Sequence, residues 1–434
     1  PVCLSPNIPA ASWTSLWSGK AGGEALSIGR PYMAAAQART TYDVVIVGMG
    51  PAGSTAAAAL SRGGLAVLGL DKDSHPRYKV CGGGLSARIE PLLDPGFRSV
   101  IEQTITGVQF VHRGRDPLVI HSSEPIAYMV MRDRFDHYLV QQAVQAGADI
   151  RTGDGVERIT QDADGVDVTT GRGRFRAQVI IGADGANSLV ARQLFPHRSH
   201  YRAPALESEV QIGAGHHFPG ATTILVDVGA ARQGYGWIFP KRDCLSVGVG
   251  EFRRKATSLR ATFDRFVKEE PGLSGWDVPR PVGHPIPAYS ELEGRHRAEG
   301  GFQFVSGRAA LIGDAGHLVD PLFGEGIYYA VLSGHMVARA ILAGNQLRAE
   351  SLVAYEAALE REILPDFRAT GRIARVVYAF PRLAFKLLSR YQEVVQAYFR
   401  VLQGHTTAAQ FLPEAKQRLK ASVNDLLLEA LQMR

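Results

Sequence analysis

The sequence predicts an α/β protein: a parallel sheet flanked by helices, interrupted by a mostly antiparallel sheet and followed by a helical C-terminal region. Three observations predict this architecture. Residues 42–71 have the pattern of a buried strand, an Ala-rich helix and a second buried strand. Residues 104–130 and 200–252 contain the alternation of apolar and polar side chains that antiparallel strands show. From about residue 351 the pattern is mostly helical.

The first unit is a βαβ motif with a strand at 42–48, a helix at 51–63 and a strand at 65–71, and we expect a right-handed crossover. The later expected elements are a helix at 132–147 ending at Gly147, strands at 148–152, 178–185 and 308–314, and helices near 256–269 and at 324–343.

Both sheet domains are therefore expected to be discontinuous along the chain. The expected segments are an N-terminal extension at 1–40, a nucleotide-binding domain at 41–103, 131–196 and 301–350, a sheet-rich second domain at 104–130 and 197–300, and a helical region at 351–434. The extension contains turn formers without periodicity, so we expect it to be disordered or to precede a natural start near Met33.

Composition narrows the class of protein. The 434 residues are 45% hydrophobic and 21% charged, which is typical of a globular protein with two or three packed units. The net charge of +6, without basic runs interleaved with aromatics, argues against nucleic-acid binding. Three widely spaced cysteines predict neither disulfides nor a metal site and favour a reducing, cytoplasmic compartment. The sequence contains no stretch of 18 uninterrupted apolar residues, so we expect no membrane-spanning helix.

The first chemical motif is a glycine-rich turn between the first strand and its helix. It comprises Gly48, Gly50, Pro51, Ala52 and Gly53. Such a turn lets a pyrophosphate approach the helix N-terminus, where the helix dipole favours negative charge. Asp71, 18 residues after Gly53, ends the second strand and is placed to accept the hydroxyls of a ribose. The context of strand, helix and acid predicts dinucleotide binding rather than a plain glycine turn.

Three further motifs fit the same ligand. Residues 313–327 again join a buried strand to a loop and a helix, and the candidate binding residues there are Gly313, Asp314, Pro321, Gly324, Glu325, Gly326 and Ile327. Asp184 lies in a Gly-Ala-Asp-Gly turn, and Arg132 begins a helix where it could reach the adenosine side. Taken alone, each of these patterns also fits a helix cap or a solvated arginine.

The segment Arg77–Ser86 places a thiol, Cys81, against three consecutive glycines. Glycines allow backbone to approach a flat ligand closely, and a cysteine there can be reactive. The candidate binding residues of this region are Lys72, Arg77, Cys81, Gly82, Gly83 and Gly84. A small buried apolar cysteine is the competing interpretation.

These four motifs, in this order, resemble the FAD-binding fold of the p-hydroxybenzoate hydroxylase type. Within that superfamily, the Cys81 segment and the run Gly234–Pro240 resemble the geranylgeranyl reductase family. The resemblance covers nearly the whole chain after about residue 41. It implies a Rossmann-like FAD-binding domain with an inserted, mostly antiparallel substrate domain and tightly held FAD. Since no second strand-coupled GxGxxG sequence is present, NAD(P)H or a reduced electron carrier, such as a donor protein, should dock transiently.

The resemblance also implies a reaction and a substrate wall. The reaction is saturation of isolated C=C bonds in a polyprenyl chain by hydride from reduced FAD plus a proton, with Cys81, Gly82 and Gly83 as the candidate catalytic segment. Cys81 is read as the acid or as a residue that positions the chain. The expected substrate residues are Tyr235, Trp237, Phe239 and Pro240. Pattern alone favours core packing for these aromatics.

Several alternatives stay open from the sequence. A FAD-dependent monooxygenase, a halogenase-like enzyme and a non-catalytic flavin redox carrier would use the same scaffold. Residues 366–403 hold seven basic residues against two acidic ones, a net +5, so they predict either a peripheral membrane surface or a solvated basic face. His284 is read as a loop residue.

Overall fold

The computed structural model describes residues 40–195, 201–213, 220–252, 258–290, 303–344, 347 and 349–417. The predicted N-terminal extension therefore lies outside the described residues, apart from its last position. Among the described residues, no helix is both long and apolar enough to cross a bilayer.

The strands are β1 (Thr41–Val47), β2 (Val67–Asp71), β3 (Gly84–Ser86), β4 (Ile101–Ile105), β5 (Gly107–His112), β6 (Arg115–His121), β7 (Ala127–Val130), β8 (Asp149–Thr152), β9 (Val156–Gln161), β10 (Val166–Thr170), β11 (Gly173–Gly182), β12 (Ala203–Gln211), β13 (Thr223–Asp227), β14 (Gly234–Pro240), β15 (Cys244–Glu251), β16 (Val282–Ile286), β17 (Val305–Ser306) and β18 (Ala309–Leu311). The α-helices are α1 (Pro51–Arg62), α2 (Arg132–Gln145), α3 (Leu189–Leu194), α4 (Leu259–Glu269), α5 (Ile327–Ala343), α6 (Ala349–Glu362), α7 (Leu364–Ala379), α8 (Pro381–Arg390) and α9 (Gln392–Leu402).

The first sheet has the strand order β17-β18-β11-β1-β2-β8. Its central strands β18, β11, β1, β2 and β8 run parallel, and the β9–β10 hairpin extends from β11. Helices α1, α5 and α6 share a core with one face of this sheet, and α3 packs on the other. Helix α5 packs closely against the Ala-rich α1 at Gly334, where a Cβ atom would lie 2.6 Å from the Ala52 carbonyl oxygen.

The second sheet has the order β16-β12-β15-β14-β13-β5-β6. Its neighbours are antiparallel except for the parallel pair β13·β5, which joins two segments that are distant in sequence. Helix α4 packs on one face, and α8 and α9 contribute to the apolar cluster on the other. The segment 104–130, expected to belong to the second domain, is divided between two sheets. Strands β5 and β6 join the second sheet, whereas β4 and β7 form a small sheet with β3.

Helix α5 begins at Ile327 instead of the expected Gly324. The reason is a turn over residues 320–326, in which Asp320 Oδ1 accepts the backbone N–H groups of Leu322 and Phe323, each at 2.9 Å. Gly324 has a φ of +65°, which ends the turn in the left-handed region.

Candidate active site

A cavity of about 800 Å³ lies between the first and second sheets. One end is formed by the carboxyl ends of the central parallel strands and by the N-termini of α1 and α5. Ligands bind in α/β sheets at this edge. The other end is formed by β5, β12, β13, β14 and α9. The cavity therefore extends from the edge of the parallel sheet, where nucleotides bind in such folds, to the antiparallel sheet.

The glycine turn after β1 is compact on its protein side and open on its cavity side. A Cβ atom at Gly48 would lie 2.4 Å from the Ala183 carbonyl oxygen, and one at Gly53 would lie 1.9 Å from the Gly48 oxygen. By contrast, the nearest atom to a Cβ at Gly50 would be Arg77 Nη2 at 3.6 Å. The α1 N-terminus and the Arg77 cation thus border open space, where a pyrophosphate would be stabilised.

Asp71 lines the cavity at the end of β2 and is buried. Its carboxylate accepts the Met49 N–H at 2.7 Å and the Asp73 N–H at 2.9 Å, and His75 Nε2 lies 3.3 Å away. Burial works to raise the pKa of Asp71, but these hydrogen bonds and the Arg77 cation more than offset it and leave the pKa below its usual value. The group is a fixed anion suited to ribose hydroxyls.

The N-terminus of α5 forms the opposite wall of this end. Asp314 lines the cavity together with Gly324, Glu325, Gly326 and Ile327. Glu325 Oε2 accepts from Arg88 Nη2 at 2.5 Å, whereas its buried Oε1 has no hydrogen-bond partner among the described residues. An orphaned oxygen beside helix N–H groups indicates a polar ligand at this position.

This end of the cavity fits FAD on three observations. The glycine turn borders open space at Gly50, Asp71 offers a ribose acceptor, and the α5 N-terminus lines the same cavity. Of the other expected binding residues, Lys72, Pro51, Ala52 and Asp184 also line it.

Four predicted site residues do not line the cavity: Gly53, Gly313, Pro321 and Pro240. Gly53 and Gly313 pack against protein instead, since a Cβ at Gly313 would lie 3.0 Å from that of Ala52. Pro321 begins the turn before α5, where it packs near Gly371. Pro240 is out of phase with the aromatic positions of β14, so its side chain points to the opposite face. Any effect of these residues on a ligand is indirect.

The Cys81 segment is wedged between β7 and β14. Gly83 has a φ of +72°, and a Cβ there would lie 2.1 Å from the Val130 carbonyl oxygen. A Cβ at Gly82 would lie 2.9 Å from Phe239 Cδ2. The sequence interpretation explained these glycines by contact with the cofactor, but the structure shows that packing against protein also requires them.

Cys81 and Arg132 lie together at this segment. The Cys81 Sγ accepts the Gly83 N–H at 3.4 Å and interacts with the Arg132 guanidinium. Arg132 also donates two hydrogen bonds to Asp136, at 2.8 and 2.9 Å. Burial works to lower the pKa of Arg132, yet Asp136 and Cys81 raise it above its usual value. These contacts place Arg132 beside Cys81, and its expected contact with the adenosine side stays a prediction.

Lys79 and His284 form a further pair on the cavity wall, with Lys79 Nζ and His284 Nε2 2.9 Å apart. His284 lies on β16 and not in a loop, which corrects the sequence interpretation. Burial and then the Lys79 cation lower the pKa of His284 to about 4, so the neutral ring accepts from Lys79. Burial, followed by the Arg132 cation, lowers the pKa of Lys79.

The aromatic residues Tyr235, Trp237 and Phe239 all line the cavity from β14. The next strand, β15, makes room for them with glycines: Gly248 pairs with Trp237, and a Cβ at Gly248 would lie 2.1 Å from Trp237 Cζ2. Two of the three aromatics also belong to a buried apolar cluster, so they serve core packing and the cavity at once.

The far end of the cavity is apolar, and the sequence interpretation missed its walls. They are formed by Val108 and Phe110 of β5, Ile224 and Val226 of β13, and Val395, Tyr398, Phe399 and Leu402 of α9. The alternating pattern of β5 and β13 marked them as strands, but only their long-range pairing shows which face meets the cavity.

The sequence interpretation also missed Glu207. This residue of β12 lines the cavity, is only 3% exposed and accepts a hydrogen bond from Ser246 Oγ at 2.9 Å. Burial raises the pKa of Glu207 to about 7, against the lowering effects of Lys241 and Ser246. The one signal in the sequence is a pair of glutamates, Glu207 and Glu209, at alternate positions of a buried strand.

Comparison with known proteins places the chain in a family. The model of the FAD binding domain family matches residues 41–359, well over half of the chain. A geranylgeranyl diphosphate reductase of Rhodobacter capsulatus is 30% identical over 316 residues, covering 70% of this chain and 75% of that protein. The chain belongs to the geranylgeranyl reductase family. It is a FAD-dependent oxidoreductase of that family, and the predicted α/β fold is confirmed.

Two solved structures show how widely this fold is shared. A geranylgeranyl bacteriochlorophyll reductase-like protein of Thermoplasma acidophilum superposes with a TM-score of 0.66 at 24% identity, covering 79% of this chain and 88% of that one. A flavin-dependent brominase superposes with a TM-score of 0.67 at 20% identity, covering 88% and 100%. At these identities the likeness concerns the fold alone.

Proposed function

We propose that this family member saturates isolated C=C bonds of a geranylgeranyl or longer polyprenyl chain with reduced FAD. The observation that carries the proposal is the continuity of one cavity. Its polar end fits FAD, and its other end is walled by aliphatic and aromatic side chains of β5, β13, β14 and α9. Transfer of a hydrocarbon chain from water to such walls lowers the free energy by about 25 cal/mol per Å² of apolar surface buried.

Different residues of the chain would bind the cofactor, bind the substrate and stabilise charge in this reaction. Bound FAD supplies the hydride. The Gly50 turn, Asp71 and the α5 N-terminus hold the cofactor, while the β5, β13 and α9 walls bind the hydrocarbon and exclude water. Tyr235 and Trp237 line the cavity, and aromatic rings there would stabilise positive charge that develops when an alkene is protonated. A dry site strengthens this interaction.

The test is an anaerobic single turnover. The protein is reduced, mixed separately with geranylgeranyl diphosphate, a geranylgeranylated glycerophospholipid and menaquinone, and the products are analysed by mass spectrometry. We expect flavin reoxidation together with a product that has gained two hydrogens per bond reduced. The three arms distinguish diphosphate, glycerolipid and quinone head groups. Absence of a mass gain in all three arms would contradict the proposal.

A second candidate is oxygen-dependent halogenation or hydroxylation of an apolar substrate, for which the same FAD scaffold and apolar cavity end would also serve. The reduced protein is exposed to oxygen with and without bromide, in the presence of a prenylated or aromatic substrate. A brominated or hydroxylated product, without saturation of prenyl bonds under anaerobic conditions, would favour this candidate. A flavin redox carrier without turnover would give neither product.

For the source of electrons we propose transient docking of NAD(P)H or of a reduced carrier. Support comes from the sequence, in which the strand-coupled GxGxxG pattern occurs once, at residues 48–53, and this turn belongs to the FAD end of the cavity. Anaerobic flavin reduction is compared for NADPH, NADH and a reduced ferredoxin. A saturable rate with one donor identifies it, and rates no faster than without donor exclude all three.

We also propose peripheral binding to an anionic membrane. Where α7 meets α8, Val376, Phe380 and Leu383 are 59%, 61% and 54% exposed. Exposed cations surround them, namely Arg372, Arg375, Arg382 and Lys386. Apolar side chains within a basic rim are typical of surfaces that lie on anionic bilayers.

Liposome sedimentation tests this surface. Phe380→Ser should weaken binding to phosphatidylglycerol vesicles at low salt, because it removes an apolar anchor without changing charge. Val353→Ser is the matched control, since Val353 is 59% exposed on α6, a different helix. Equal sedimentation of both variants and the wild type would exclude the proposed surface.

A further inference from the structure

The cavity wall contains a carboxyl group that the proposed reaction has not yet used. Glu207, Gly248 and Trp237 occupy one row across three adjacent strands, since Gly248 pairs with both of the others. Because Gly248 has no side chain, the Trp237 indole lies over it and extends toward Glu207. The acid therefore lies on the same cavity face as the aromatic residues.

Hydrogen bonds fix the orientation of this carboxyl. Trp237 Nε1 donates to Ser246 Oγ at 3.2 Å, and Ser246 Oγ donates to Glu207 Oε1 at 2.9 Å. On its other side, the Trp237 Nε1 atom would be 3.6 Å from a Cβ at Gly82. The Ser246 hydroxyl and the Trp237 indole thus link Glu207 to the segment that begins with Cys81.

The other acids of the cavity are engaged elsewhere. Asp71 accepts two backbone N–H groups, Asp184 accepts those of Leu189 and Val190, and Asp320 holds the turn before α5. Glu325 faces the Arg88 cation. Each of these groups therefore has a positioning task. The two remaining acids, Asp73 and Asp314, lie at the polar end after β2 and β18, where Asp314 faces the Lys79 cation.

The Cys81 thiol is engaged by neighbouring groups. Its sulfur receives the Gly83 N–H and interacts with the Arg132 guanidinium. Both partners present donors to the sulfur, so these contacts favour Cys81 as an acceptor that holds the segment in place.

We infer that Glu207 donates the proton in the proposed alkene reduction. The inference rests on the proposed function. The C=C π bond breaks, one carbon takes a hydride from the reduced flavin and the other takes H⁺ from the Glu207 carboxyl. Two C–H bonds form, the flavin is oxidised by two electrons, and Glu207 is left as a carboxylate that water reprotonates after product release.

Charged neighbours set the pH range of this donor. Lys241 and Arg132 favour the carboxylate, and Glu209 and burial favour the acid, with burial the largest effect. Lys241 Nζ lies 4.0 Å from Glu209 Oε1, so the Lys241 cation interacts with both glutamates. Tyr78 faces the two glutamates from the Cys81 segment. General acids act best when their pKa is near the working pH, as holds for a pKa of about 7 at Glu207.

The test uses the holoenzyme with Glu207→Gln, Glu207→Asp and the control Glu209→Gln. In single turnovers with the active prenyl substrate, Glu207→Gln should reoxidise flavin about 10²–10⁴-fold more slowly, the usual contribution of a general acid. Wild-type rates should fall above a midpoint near pH 7, and this midpoint should be absent in Glu207→Gln. Glu207→Asp should keep a pH-dependent, slower rate. Glu209→Gln should keep the midpoint but move it to lower pH, because the Glu209 charge favours the protonated form of Glu207.

A second readout does not depend on turnover. Infrared difference spectra of the oxidised holoenzyme, recorded over a narrow pH range around 7, should contain a protonated-carboxyl band that Glu207→Gln weakens. Unchanged rates and pH profile in Glu207→Gln, or retention of the full band, would overturn the inference while wild-type turnover leaves the proposed function standing. A wild type that reduces no prenyl substrate would instead overturn the proposed function itself.

Discussion

Replacing Glu207 by Gln should flatten the pH dependence of folding stability. Burial raises the pKa of Glu207 from 4.5 to about 7 in the folded protein. The unfolded chain therefore releases this proton at lower pH than the folded protein does, and stability falls as pH rises from about 4.5 to about 7. At about 1.4 kcal/mol per pH unit, this gap corresponds to about 3 kcal/mol.

Glutamine cannot ionise, so the variant should not show this loss. The assay is urea unfolding of the holoprotein at saturating FAD across a series of pH values, followed by circular dichroism. The difference in unfolding free energy between Glu207→Gln and wild type should grow by about 3 kcal/mol in favour of the variant between acid and neutral pH. Glu209→Gln, two residues along β12, is the control. Parallel curves for Glu207→Gln and wild type would refute the reasoning.

The remaining predictions concern the glycines and the thiol. Gly248→Ala should cost about 1–3 kcal/mol of stability and weaken prenyl binding, since the new Cβ would meet Trp237 Cζ2 at 2.1 Å; Gly250→Ala, whose Cβ would meet nothing closer than 3.7 Å, should leave both unchanged. Gly53→Ala should weaken FAD binding about tenfold or more in a fluorescence titration, because its Cβ would lie 1.9 Å from a carbonyl oxygen of the phosphate turn; native affinity would refute this. Cys81→Ser should reduce prenyl substrate within about threefold of the wild-type rate if the thiol only positions the segment, and a loss of about a hundredfold would return the acid role to it.

The parts that could be predicted from the sequence depend on local pattern. The βαβ unit, its glycine turn and Asp71 were recognisable because strand, helix and acid follow one another within a short stretch. The family likeness rested on two further short motifs, around Cys81 and Trp237, and the comparisons confirmed it.

The rest depends on pairings between distant strands. Glu207 becomes part of the site only because β12 pairs with β15, and β15 with β14. The α9 wall requires a helix near the end of the chain to pack on a sheet that starts near residue 107. The interpretation of Gly82 and Gly83 from the sequence was incomplete for the same reason, because their neighbours Phe239 and Val130 are remote in sequence. Period-two and helical patterns report which residues share a face, but not what that face meets.

The position of α9 has a consequence for how this enzyme acquires its substrate range. The residues that fit FAD are complete along the chain by Ile327, whereas the apolar end is closed only by residues of α9 up to Leu402. The last part of the apolar wall is therefore encoded after the cofactor site, although β5, β13 and β14 lie within the same stretch as the FAD residues. If the proposed function holds, substitutions in α9 would change the shape of the apolar end while leaving the residues that fit FAD unchanged.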